Sequence, residues 1–117
     1  MQVAWVQGEN IQYYLEQARD NAYGTPRKFD FALQYYGHEN GTYLGYMVIM
    51  MLDNQHFDNY NNNNCYWEYN INGVAAPLGI DLEYPKPSDI IEFQYNQLSA
   101  TLPRGKAAAA KLAFHKK

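Results

Sequence analysis

The sequence predicts an α+β domain, with one helix packed on a mostly antiparallel sheet. Three observations carry that reading. Residues 11–22 place apolar side chains at helical spacing. Residues 65–71 and 91–95 alternate apolar with polar side chains, as half-buried strands do. Asn72-Gly73 directly follows the first of those strands, and this dipeptide tolerates positive φ and closes hairpins.

The elements follow in order. Val3, Trp5 and Gln7 mark a first strand, ended by Gly8. Asn10 is the expected helix N-cap, because its side chain accepts from the first free backbone N–H groups. Ile11, Tyr14, Leu15, Ala18 and Ala22 then form one apolar stripe, which Gly24-Thr25-Pro26 stops. Phe29, Phe31, Leu33 and Tyr35 alternate with Asp30, Ala32 and Gln34, which predicts a strand with one wet face. Residues 37–42 read as a turn holding the sequon Asn40-Gly41-Thr42, so Asn40 is a candidate glycosylation site. Residues 44–52 are nearly all apolar and do not alternate, which predicts the most buried strand, covered on both faces. Methionines at 47, 50 and 51 read as adaptable core filling, or as a soft surface for a flat apolar ligand.

Residues 53–64 include four consecutive asparagines and read as a loop. Asp53, His56 and Asp58 within it do not match the calcium-loop spacing, so no metal site is expected. In the next strand, Cys65, Trp67, Tyr69 and Ile71 face one way; Tyr66, Glu68 and Asn70 face the other. The single cysteine excludes an internal disulfide; a buried free thiol is expected, with a bridge to another chain as the alternative. After the Asn-Gly turn, Ala75-Ala76-Pro77 suits an edge strand or a bend. Pro85 and Pro87 stiffen a connector into the last strand, where Ile91, Phe93 and Tyr95 share a face. From Leu98 the pattern dissolves. Residues 98–117 read as a basic, Ala/Lys-rich tail, disordered or added by cloning and dispensable for folding; a short helix through Phe114 is the alternative. The domain is therefore placed at 1–97. One strand, a helix, then four or five strands is a β-grasp-like order.

Five segments together carry a resemblance: QVAWVQGENIQYYLEQA, FDFALQYYG, YLGYMVIMML, CYWEYNINGVAAPLGI and PKPSDIIEFQY. In this order they resemble the small C-terminal domain of transcobalamin and intrinsic factor, over residues 2–97. The usual Gly-Asp of the closing turn is Ser88-Asp89 here. In those carriers the small domain covers one face of cobalamin and a larger helical domain covers the other. The resemblance implies ligand contacts at Tyr66, Trp67, Tyr69, Asn72, Gly73, Pro77 and Leu78, and cobalamin as the candidate ligand. The sequence as given lacks that helical domain, so the expectation is a lone half-site that covers less of the ligand and binds it more weakly, with a missing helical domain or self-association as the candidate partner.

Composition bounds the rest. With 117 residues, 47% hydrophobic and 18% charged, the chain is expected to be one globular domain. It contains no apolar run long enough to span a membrane. Met1 runs straight into a strand pattern, so the expectation is a mature or excised fragment with an added Met. Residues 1–97 carry twelve acids against four bases, which disfavours nucleic acid. Residues 98–117 carry five bases and no acid.

Catalytic sets are missing from the sequence. The only serines are Ser88 and Ser99, neither in a nucleophile elbow, and no glycine-rich phosphate loop or His-x-x-x-His pair occurs. Two function classes remain. One is a secreted, non-enzymatic binding domain. The other is an extracellular assembly protein that self-associates through an acidic body and a basic tail.

Overall fold

The computed structural model of the chain describes residues 1–53, 59–60, 65–97 and 109–115. The elements are β1 (Gln2–Ala4), α1 (Ile11–Ala22), β2 (Asp30–Tyr35), β3 (His38–Glu39), β4 (Thr42–Tyr43), β5 (Tyr46–Leu52), β6 (Asn59–Tyr60), β7 (Cys65–Ile71), β8 (Val74–Ala75), β9 (Ile90–Gln97) and β10 (Ala109–His115). The fold is α+β, with one helix among the described residues. A five-stranded sheet runs β1-β10-β9-β7-β8, a three-stranded sheet runs β2-β5-β6, and β3-β4 is a separate hairpin. Every pairing is antiparallel except that of β1 with β10.

The helix forms where the caps and the stripe coincide. Asn10 Oδ1 accepts from the Tyr13 N–H at 2.9 Å. The remaining free N–H groups of the first turn find chain partners: Ile11 donates to the Glu83 carbonyl and Gln12 to the Ile80 carbonyl. The connector after β8 is thereby tied to the helix start. The buried side chains of α1 are the five of the predicted stripe. They pack with Val3, Phe31, Met51, Trp67, Ile91, Phe93 and Leu112 into one core.

Three expectations are corrected. The segment expected as a tail supplies β10, which lies inside the five-stranded sheet between β1 and β9. Ala110 and Leu112 are buried and Lys111 is exposed, so the segment has strand period rather than helix period. Its alanines favour helix locally, but pairing with two strands and burial of Leu112 override that preference.

Second, β5 is central in its own sheet but is not covered on both faces. Only Val48 and Met51 are buried, while Leu44 and Met47 are exposed. A bulge opposite Ala32 and Leu33 leaves Ile49 without a partner. Val48 and Met51, three residues apart, therefore both face the core. Third, residues 38–43 form a hairpin rather than a simple turn, with Asn40 and Gly41 at its apex.

The expected loop at 53–64 begins on a buried Asp53, paired with Arg27 at 3.0 Å. Tyr60 then pairs with Met50. His56 and Asp58 lie outside the described residues.

Candidate functional site

A cleft of about 280 Å³ opens between β5 and β7. β5 and the residue leading toward it contribute Leu44, Tyr46, Met47 and Val48; β7 contributes Tyr66, Trp67, Glu68 and Tyr69. Successive strand side chains point to opposite faces, so consecutive residues line one space only along a strand's edge. Among the described residues, β6 pairs with β5 at Met50 and β8 with β7 at Asn70 and Ile71, so the cleft runs along the stretches of β5 and β7 outside those pairings. Ala75, Ala76, Leu78, Gly79 and Ile80 form a third wall, and Phe93 of β9 reaches in from beneath β7.

The third wall is pinned from both sides. The Tyr69 hydroxyl donates to the Leu78 carbonyl, and the Ala76 N–H donates to the Tyr69 carbonyl at 3.2 Å. The Asp81 carboxylate accepts from the Tyr43 hydroxyl at 2.7 Å and from the Tyr46 N–H at 3.4 Å. Asp81 therefore caps a backbone donor on the exposed edge of β5. The approach requires glycine at 45: its φ is +69°, and a Cβ there would lie 2.8 Å from Asp81 Oδ1.

These contacts fix the protonation of the rim. The hydrogen bond to Asp81, aided by burial, pushes the Tyr43 hydroxyl up to about 12. Burial, followed by the charges of Glu83 and Asp81, raises that of Tyr69. Both remain neutral donors at physiological pH. Among the described residues, the one formal charge in the lining is Glu68, whose carboxylate accepts from Tyr66 and Asn96. The lining contains, among the described residues, no Ser, His, Cys, Lys or Arg. It offers aromatic and aliphatic area with a few polar tips, which suits binding by contact.

Of the seven residues nominated from the sequence, Tyr66, Trp67, Tyr69 and Leu78 line this cleft; Asn72, Gly73 and Pro77 do not. Trp67 is also a core residue, buried and tilted against Tyr95 at 5.2 Å. Asn72 holds the β7–β8 turn: its carboxamide donates to Asp89 at 2.8 Å and accepts from the Ile90 N–H at 2.9 Å. Asn40 sits exposed at the β3–β4 apex. Sequence reasoning missed Leu44, Tyr46 and Asp81. The signal for Asp81 was Gly79-Ile80-Asp81 itself, a small residue two positions before an acid that must approach backbone.

A second, more open cavity of about 430 Å³ lies at the C-terminal end of α1, around Arg19, Arg27, Lys28, Asp20 and Asp30. Within the chain, Arg19 pairs with Asp30 at 3.8 Å and Arg27 with Asp53 at 3.0 Å.

The fold and the cleft define a class: a small α+β domain with an apolar, aromatic-lined cleft. Compared with known proteins, the chain matches no family model, no curated protein and no solved structure. Among the described residues, no group of three or more His, Cys, Asp or Glu gathers as a metal site. No described helix is long and apolar enough to cross a membrane.

Proposed function

We propose that this chain is a secreted, non-enzymatic binding domain whose β5–β7 cleft covers one face of a large, flat, apolar ligand. Cobalamin is the candidate that the resemblance supplies, and a separate helical domain is the partner that would cover the other face. The observation carrying this reading is the convergence of Tyr66, Trp67, Tyr69 and Leu78 on one cleft with Leu44 and Met47.

Size supports a half-site. Small-molecule pockets run roughly 300–1,000 Å³, and about 280 Å³ encloses only part of a large ligand. The β-grasp-like reading of the fold has support in the parallel pairing of the first and last strands, with the helix packed against the same core. Asn40, exposed in its sequon, is the glycan acceptor in a secreted chain. The assembly reading has less support, because Lys111 of the expected basic tail pairs with Glu92 of its own sheet at 3.4 Å.

Isothermal titration with cobalamin tests the proposal, on the chain alone and mixed with a separately made helical domain of a carrier. Heat of binding in the mixture, with weaker or absent heat for the chain alone, is the expected result. A folded chain giving none in either case overturns it.

A further inference from the structure

The chain contains two Asn-Gly dipeptides, Asn40-Gly41 and Asn72-Gly73, each at the apex of a two-residue hairpin turn. Their backbones match: φ is 51° and 78° in the first turn, 53° and 82° in the second. Their side chains do not. The Asn72 carboxamide is held at both ends, by Asp89 at 2.8 Å and by the Ile90 N–H at 2.9 Å. Both asparagines are exposed and both glycines have open space around them, but no described residue hydrogen-bonds the Asn40 carboxamide.

We propose that Asn40 is a site of spontaneous deamidation and that Asn72, in the same dipeptide and the same turn, is protected by its tether to Asp89 and Ile90. The reaction needs only water. The Gly41 backbone nitrogen attacks Asn40 Cγ and loses its proton as the new C–N bond forms. The Cγ–Nδ2 bond breaks, and the side-chain nitrogen leaves as ammonia. Water then opens the resulting succinimide at one of its two carbonyls, giving aspartate or isoaspartate. One water enters, one ammonia leaves, and no redox partner is involved. Glycine at the second position leaves the attacking nitrogen uncrowded.

The carboxamide must turn toward that nitrogen before attack. At Asn72 this rotation breaks both tethering hydrogen bonds, one of them to a carboxylate; at Asn40 it breaks none. Two such bonds slow the protected site by roughly tenfold or more. The consequence is local. Conversion places a new carboxylate beside Glu39, and the isoaspartate product adds a backbone methylene that unseats the Glu39–Thr42 pairing. It also removes the glycan acceptor. The cleft between β5 and β7 is untouched, so this inference stands independently of the ligand reading.

Peptide mapping by mass spectrometry after incubation of the intact chain in mildly alkaline buffer tests it. Asn40 is expected to acquire the mass of an amide-to-acid exchange at least about tenfold faster than Asn72. In denaturant the two sites are expected to react at the same rate, since the tether is then gone. Asp89→Ala, checked for an intact melting transition, is expected to accelerate Asn72 while leaving Asn40 unchanged. Equal rates in the native chain overturn the proposal. So does a native preference that persists in denaturant, because flanking sequence would then explain it. If Asp89→Ala does not fold, the native and denatured rate ratios alone decide.

Discussion

Tyr14 has no exposed surface, yet its hydroxyl has both of its roles filled. It donates to the Val6 carbonyl at 2.6 Å and accepts from the Val6 N–H at 2.9 Å, tying the chain between β1 and α1 back onto the helix. Replacing Tyr14 by Phe keeps the ring and strands both backbone groups. The expected loss is about 1–2 kcal/mol, read from the urea midpoint. An unchanged midpoint would mean that water replaces the hydroxyl freely. Tyr43 gives a pH prediction. Its folded pKa, raised to about 12 chiefly by the hydrogen bond to Asp81, lies above its ordinary value near 10. The stabilisation from that bond is therefore complete below about pH 10 and is lost as pH rises toward 12. Tyrosinate absorbance should show the hydroxyls of Tyr43 and Tyr69 titrating late, and Asp81→Ala should bring that of Tyr43 back toward the ordinary tyrosines while Tyr69, raised chiefly by burial, stays late. A Tyr43 titration unchanged in that variant would remove Asp81 as the cause.

Among the elements, β10 carries more weight than its composition suggests. It bridges β1 and β9, and Leu112 is 1% exposed. Leu112→Ala should cost about 2–4 kcal/mol, and a chain ended at residue 108 should fail to fold cooperatively in a urea melt. Retention of near-native stability by the shortened chain would return this segment to the status of a tail. The contrast with α1 shows what was legible. For the helix, Asn10, the apolar stripe and Gly24-Thr25-Pro26 agree locally, so the observed bounds differ from expectation only at the cap. For β10, the alternation of Ala110, Leu112 and Phe114 was present, but alanine is small and favours helix, and one of its two partners is at the opposite end of the chain. β5 failed differently. An unbroken apolar run implied cover on both faces, whereas a bulge at Ile49 turns two residues inward and leaves Met47 exposed.

At the scale of the molecule, the cleft is assembled from segments 44–48, 66–69 and 75–80, with Phe93 beneath. The second and third are close in sequence and share the Asn72-Gly73 turn, so their joint role was readable. The first joins them only where strands of two different sheets meet, which no local pattern encodes. That geometry sets the last prediction. Met47 and Leu78 lie on opposing walls and are 44% and 50% exposed, so charging them should change stability by no more than about 0.5 kcal/mol. A flat apolar ligand seated across both walls would have to desolvate the new charge. Met47→Lys and Leu78→Asp should each weaken binding at least about tenfold, or about 1.4 kcal/mol. Val74→Lys, more exposed than either and outside the cleft, should leave affinity unchanged. Melting and titration on the same samples separate the effects. If the ligand binds equally to all three variants, it sits elsewhere on the domain, and the cleft is only where two sheets part.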